Sequence, residues 1–127
     1  MKTKGFTLVE LLVVIAILAI LATVSVVGYT SFIQDANEST ALQEMTQIRD
    51  ALVAEDINNT DFAIVTGTNA SVTGDAKIVE FAGTLGLKNC TVEVDATNKT
   101  ITYTKTDKEV WAKWDLASNT ITTGQVQ

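Results

Sequence analysis

The chain has 127 residues, of which 46% are hydrophobic and 19% are charged, and it contains one cysteine but no histidine and no proline. A chain of this length allows one small domain and little more. The composition excludes Cys/His zinc sites, catalytic centres that need histidine, and any internal disulfide. The net charge of −6 argues against a general nucleic-acid binder, which neutralises phosphates with basic side chains.

The hydrophobic residues are concentrated near the N-terminus. Residues 11 to 34 carry no charged side chain and begin with twelve apolar residues in a row. A helix of about 20 apolar residues crosses the roughly 30 Å hydrocarbon core of a bilayer, so this stretch can span a membrane. Lys2 and Lys4 precede it and favour a cytoplasmic N-terminus, with the rest of the chain exported.

Three interpretations of this N-terminus compete: a cleaved secretory signal, a plain membrane anchor, and a more specialised segment. Glu10 argues against the secretory signal, because an acid within an apolar membrane helix costs about 2.5–3.5 kcal/mol on insertion scales. A secretory signal also ends in a small-x-small site before a polar mature start, whereas Ala19 and Ala22 are followed by more valine. A plain anchor, in which the glutamate is coincidental, stays open at this point.

A motif decides for the specialised segment. Residues 5–10 read GFTLVE, and together with the short basic leader and the apolar helix they resemble the class III leader of type IV pilins and pseudopilins. The resemblance implies that a prepilin peptidase cleaves between Gly5 and Phe6 and then methylates the new amino group of Phe6. It also implies that Glu10 offsets the terminal amine of a neighbouring subunit and so sets the register of assembly.

The same resemblance implies the partners and the location. The subunit is expected to be a single-pass cytoplasmic membrane protein with its head outside, and then to polymerise with other pilin subunits into an extracellular pilus. The family uses a cytoplasmic ATPase and a membrane platform protein for assembly, and this chain lacks the GxxxxGK[ST] pattern that binds nucleotide. No cofactor, metal, catalytic residue or nucleic-acid partner is expected.

The chain departs from the family at two positions. Many members have a proline where this chain has Val27, and many have a glycine where it has Ala19. Gly28 costs roughly 1 kcal/mol of helix propensity relative to alanine but keeps its backbone N–H, unlike proline. We therefore predict a helix that is less sharply broken than in those members, with Gly28 as its weakest point.

Periodicity predicts an α+β fold for the chain. A long helix over about residues 6–57 is amphipathic from Tyr29 onward, with apolar residues at three- and four-residue steps. Asn58 and Asn59 are expected to end this helix. The apolar positions of its second half are Tyr29, Phe32, Ile33, Ala36, Ala41, Met45, Ile48 and Leu52.

The rest of the chain predicts a head packed on that helix. After an irregular connection with extended residues near 63–65, a short helix is expected near residues 76–85, capped by Asp75 and stopped at Gly86. Alternating residues from Cys90 onward predict a three- to four-stranded antiparallel sheet with one buried face. The expected organisation is a leader at 1–5, a filament-core segment at 6–28 and a head at 29–127.

Other features have two interpretations each. Cys90 is favoured as a buried structural thiol over a reactive one, and Trp111 as a packing residue over a contact between subunits. Four acids could hold calcium but lack the usual loop pattern, and they are favoured as solvated turns: Asp61, Asp75, Asp95 and Asp107. Five Asn-x-Ser/Thr triplets could be modified, although threonine-rich strands produce them by chance: Asn37, Asn58, Asn69, Asn89 and Asn98.

These expectations predict a type IV pilin that serves adhesion, motility or aggregation, and not an enzyme. The first alternative is a pseudopilin of a secretion or DNA-uptake apparatus, which shares the leader and the core mechanism. An alternative of another class is a membrane-anchored binding module that never polymerises. The state of the mature N-terminus separates that alternative from the first two.

Overall fold

A computed structural model describes residues 5–58 and 61–127 of the chain. These residues form two helices and six strands, in chain order: α1 (Leu8–Asp56), β1 (Ala63–Val65), β2 (Ser71–Thr73), α2 (Asp75–Gly83), β3 (Cys90–Asp95), β4 (Thr100–Lys105), β5 (Val110–Asp115) and β6 (Thr120–Gln125). The predicted α+β class, with a long N-terminal helix and a small antiparallel sheet, is confirmed.

The chain divides into two compact units, Met1–Asp35 and Ala36–Gln127. The organisation predicted from the sequence, with a head that begins at residue 29, stays a prediction. Helix α1 ends at Asp56, close to the predicted end, and Asn58 lies in the turn that follows. Asn59 and most of the predicted leader lie outside the described residues.

Strands β3 to β6 form a meander that repeats every ten residues. Each strand pairs antiparallel with its neighbour in the chain, in the order β3-β4-β5-β6. The residue before each strand has a left-handed backbone, with φ between 54° and 59°, at Asn89, Lys99, Glu109 and Asn119. At the start of the turn before β4, the Asp95 carboxylate accepts the Asn98 backbone N–H at 2.9 Å. Such side-chain acceptors stabilise turns because they replace a backbone partner.

We call the second unit, Ala36–Gln127, the head. Its core lies between α1 and the inner face of this sheet. The predicted helix stripe is confirmed from Ala41 onward: Ala41, Met45, Ile48 and Leu52 are fully buried. Tyr29 and Phe32 were predicted in the same stripe but are 66% and 69% exposed. The sheet contributes its own fully buried residues to this core, among them Ile101, Tyr103, Ala112, Trp114 and Leu116.

Helix α2 begins differently from the prediction. Its N-cap is Gly74, at φ 80°, and no side chain caps the helix, so Asp75 lies in the first turn instead. A Cβ at Gly74 would lie 2.5 Å from the Asp61 carbonyl oxygen and 2.6 Å from the Phe62 Cβ, so both the backbone angle and the space require glycine here. Gly86 has the predicted left-handed backbone, at φ 75°.

Strands β1 and β2 form a separate two-stranded antiparallel sheet. The extended residues near 63–65 were predicted, whereas the partner strand was not. Ile64 pairs with Val72, and both side chains are buried in the same core as α1. This two-stranded sheet therefore covers part of the head core.

Candidate functional site

The predicted cleavage site lies in a non-helical segment directly before α1. Gly5, Phe6 and Thr7 have no helical backbone, and Phe6 is 90% exposed. A Cβ at Gly5 would meet no atom within 4 Å. The bond between Gly5 and Phe6 is therefore open to an enzyme that binds an extended backbone.

Thr7 and Glu10 form a reciprocal capping box at the start of α1. The Thr7 backbone N–H donates to Glu10 Oε2 at 3.0 Å, and the Glu10 backbone N–H donates to Thr7 Oγ1 at 3.2 Å. The Leu11 N–H then donates to the Thr7 carbonyl at 3.2 Å, which is the first hydrogen bond of the helix. An N-cap of this kind stabilises a helix by about 1 kcal/mol.

The capping box determines where the Glu10 carboxylate lies. Its Oε2 accepts from the peptide N–H that joins Phe6 to Thr7, so the charge lies at the end of the helix where cleavage would create an amine. The positive end of the helix dipole also favours an anion at this position. Sequence analysis missed this arrangement, although the Thr-x-x-Glu spacing within GFTLVE is its usual signal.

The first half of α1 exposes a largely apolar surface. It is long and apolar enough to cross a membrane, and none of that stretch is buried inside the protein. Hydroxyls within it donate to carbonyls about one turn earlier in the same helix, at 2.7–3.3 Å, from Thr23, Ser25, Thr30 and Ser31. Because these hydroxyls need no water, they are compatible with hydrocarbon surroundings.

Gly28 lies inside α1, and the helix continues through it. A Cβ at Gly28 would meet no atom within 4 Å, so packing within the chain does not require glycine at this position. Its backbone N–H is retained, and the hydrogen-bond ladder is therefore not interrupted as it would be by proline. A weak point at Gly28 during assembly stays a prediction.

Residues 1–26 match the family described as the prokaryotic N-terminal methylation motif. The chain carries the class III signal peptide of type IV pilins and pseudopilins. No curated protein and no solved structure matches the chain.

The match confirms the resemblance that GFTLVE predicted for the N-terminal segment. A pilin-type motif implies processing by prepilin peptidase and assembly into polymers, and it indicates a structural subunit, not an enzyme. The apolar helix, which begins within the matched residues, fits the membrane anchor of pilin-type proteins. The individual roles of Gly5, Phe6 and Glu10 stay predictions.

Two glutamates on the second half of α1 bind the sheet, and we call them the helix clasp. The Glu44 carboxylate accepts a hydrogen bond from the Tyr103 hydroxyl. It accepts a second one from Lys105 Nζ, at 3.2 Å. Glu38 makes longer contacts at 3.4 Å, with Thr123 and Gln125 of β6. Burial and the hydrogen bond to Glu44 raise the pKa of Tyr103 far above its ordinary value, so this hydroxyl stays protonated.

The other predicted candidates were the Cys90 thiol and four acids. Cys90 is half-buried on the inner face of β3, where desolvation raises the pKa of its thiol and so makes the thiolate less available. Among residues 5–58 and 61–127, no group of three or more His, Cys, Asp or Glu side chains could hold a metal ion. Asp95 is instead hydrogen-bonded within its own turn, to the backbone and side chain of Asn98.

Proposed function

We propose that this chain is a type IV pilin, the structural subunit of a surface pilus. It is cleaved after Gly5, methylated on Phe6 and polymerised through the apolar half of α1. The observation that supports this proposal is the continuity of the methylation motif with an exposed apolar helix. Between residues 5 and 34, the one charged side chain is Glu10, and it lies at the N-terminal end of that helix.

The proposed assembly exchanges one apolar environment for another. In the bilayer, α1 contacts lipid, and in the filament it contacts other helices, so the apolar surface stays covered in both states. Little free energy then favours extraction by itself, which is consistent with a need for the ATPase and platform protein of the family. In the filament core, Glu10 and the amine of a neighbouring Phe6 compensate each other, because either charge alone is costly there.

The methylation motif also occurs in pseudopilins, which form short filaments within a secretion or DNA-uptake apparatus. The proposed role of this chain in adhesion, motility or aggregation therefore depends on where its filament is found. Electron microscopy with an antibody against the head separates the two: labelled long surface fibres support the pilin, and their absence from cells that process the chain contradicts it.

The role of Glu10 is tested with two variants that separate its charge from its capping bond. Glu10→Gln keeps a side chain that can complete the capping box but removes the charge, whereas Glu10→Ala removes both. We expect mass spectrometry to show a methylated Phe6 start in the native chain and cleavage in both variants. Pilus yield is expected to fall roughly tenfold or more in both, because the amine is left uncompensated.

Asp35→Asn is the matched control, since it removes an acid from the same helix outside the apolar stretch. Its pilus yield is expected to equal that of the native chain. Normal yield from Glu10→Gln would refute the charge role of Glu10. An intact Met1, or a cut after the apolar stretch, would contradict the pilin class as a whole.

A further inference from the structure

The hydroxyl groups within the apolar stretch of α1 are of two kinds. Residues 11–33 include five side chains with a hydroxyl: Thr23, Ser25, Tyr29, Thr30 and Ser31. Four of these hydroxyls donate to carbonyls of the same helix. Tyr29 differs from them, because its hydroxyl makes no hydrogen bond to any residue in the part of the chain that the structure describes.

This difference determines which side chains can enter hydrocarbon. A hydroxyl that already has a partner in its own helix needs no water, whereas the Tyr29 hydroxyl would lose its bonds to water and gain none. The Tyr29 side chain is 66% exposed, and that of Phe32, about one turn further along, is 69% exposed. Tyrosine is enriched at the level of the lipid headgroups, where its ring contacts acyl chains and its hydroxyl reaches water.

The distance from Glu10 to Tyr29 matches the thickness of a bilayer's hydrocarbon core. Helix α1 is continuous between the two residues and passes through Gly28. At about 1.5 Å per residue, the rise from Glu10 to Tyr29 is roughly 28 Å, against roughly 30 Å for the hydrocarbon core. No charged side chain lies between them. One polar group is therefore available for each surface of the membrane.

We propose that Tyr29, with Phe32 beside it, anchors α1 in the headgroup layer of a phospholipid bilayer, and that Glu10 lies in the opposite headgroup layer. The proposal rests on the proposed function only for the membrane location of the subunit before assembly. Hydrocarbon then covers residues 11–28 and excludes residues 29–34, although these are also uncharged.

This placement has two consequences for the N-terminal end of the helix. The Glu10 carboxylate reaches water, so it avoids the insertion cost of an acid at the centre of a bilayer. Gly5 and Phe6 precede Glu10 in the chain, so the same anchor keeps the bond between them outside the hydrocarbon.

Thiol labelling at three depths tests this placement. The full, uncleaved chain carries Cys90→Ala and is reconstituted in phosphatidylcholine nanodiscs, which leave both membrane surfaces open to a membrane-impermeant maleimide. Leu8→Cys, Thr23→Cys and Ser31→Cys then each add one thiol. We expect the thiols at positions 8 and 31 to react on the order of tenfold faster than the thiol at position 23, because hydrocarbon excludes the reagent and disfavours the thiolate.

Two pairs of leucine substitutions test the anchor itself. Tyr29→Leu with Phe32→Leu lengthens the apolar stretch and removes both rings, so position 31 is expected to move into hydrocarbon. Labelling of Ser31→Cys should then fall several-fold, toward the rate of the position at mid-membrane. Val26→Leu with Val27→Leu is the matched control, since it also adds two leucines but keeps both rings. Its labelling is expected to equal that of the native helix.

Three results would overturn this placement, once circular dichroism has shown that each variant keeps its helix. Ser31→Cys could react as slowly as Thr23→Cys, which would mean that hydrocarbon extends past Tyr29. Leu8→Cys could react as slowly, which would place Glu10 inside the hydrocarbon. The pair Tyr29→Leu and Phe32→Leu could leave the labelling unchanged, which would exclude the two rings as the anchor. The labelling requires neither cleavage nor polymerisation, so its failure leaves the proposed pilin function intact, and the reverse also holds.

Discussion

The substitution Glu44→Ala removes the glutamate that makes the shorter hydrogen bonds of the helix clasp. Two donors, the Tyr103 hydroxyl and the Lys105 ammonium, then lose this acceptor. The Tyr103 side chain is fully buried and its hydroxyl donates to Glu44, so the hydroxyl loses this acceptor when the carboxylate is removed. The Lys105 side chain is 13% exposed, and it retains a weak contact with the Lys88 carbonyl at 3.4 Å. The tyrosine is therefore expected to carry most of the cost.

The expected loss in the free energy of unfolding follows from these two donors. A buried donor left without a partner costs about 1–3 kcal/mol, and the Lys105 ammonium, which keeps its weak contact with the Lys88 carbonyl, adds about 1 kcal/mol. We expect Glu44→Ala to lower the free energy of unfolding of the head by about 2–4 kcal/mol. For a domain of this size, that corresponds to a fall in melting temperature of roughly 10–25 °C.

Urea unfolding of the full chain in micelles of a nonionic detergent measures this change. Trp111 and Trp114 are the two tryptophans of the chain, and both lie in β5, so tryptophan fluorescence reports on the head and not on the apolar helix. Glu44→Gln can still accept from Tyr103 and is expected to cost only about 1 kcal/mol. Glu38→Ala is the matched control, since its contacts are longer and weaker.

Two outcomes would contradict the role assigned to the Tyr103 hydroxyl. If Glu44→Ala costs no more than Glu38→Ala, the clasp does not stabilise the head through the Tyr103 hydroxyl. If Glu44→Gln costs as much as Glu44→Ala, the ion pair with Lys105 is the dominant interaction and the assignment to tyrosine is wrong.

Two further predictions concern the head. Gly74→Ala is expected to destabilise it by roughly 2 kcal/mol or more, because the new Cβ meets backbone, whereas Gly67→Ala has a similar positive φ but open space and should cost less; equal urea midpoints would contradict this. Since the folded pKa of Tyr103 is raised, its contribution is full below the ordinary value of 10.0 and is lost as the pH rises above it, so the melting temperature should fall above about pH 10. The fall should be smaller in Tyr103→Phe, and an equal fall in both would exclude Tyr103 as its source.

Much of the fold was predictable because it depends on local patterns. The stripe from Ala41 to Leu52 repeats at three and four residues, and the strands from Cys90 alternate apolar with polar side chains, so both periods are visible without a structure. The sequence pattern did not show at which residue the stripe becomes buried. Tyr29 and Phe32 continue the same period but are exposed. The period alone does not show where the sheet begins to cover the helix.

The contacts that define the helix clasp are visible only in the folded structure. Glu44 and Lys105 are 61 residues apart in the chain, and nothing in either local sequence links them. The need for glycine at position 124 follows from its register opposite Trp111. By contrast, the Thr7–Glu10 capping box could have been predicted, since its residues are only three apart and follow a known spacing.

The ten-residue meander has a consequence for how the head folds. Each strand of the sheet pairs with the next strand in the chain, so these contacts close short loops and can form early and fast. The clasp closes much longer loops, of 59 to 87 residues. We therefore expect the sheet to assemble hairpin by hairpin, with docking of the helix as the slower step that completes the core. Until that step, the inner face of the sheet, including Trp114, stays open to solvent and vulnerable to premature contact with other chains.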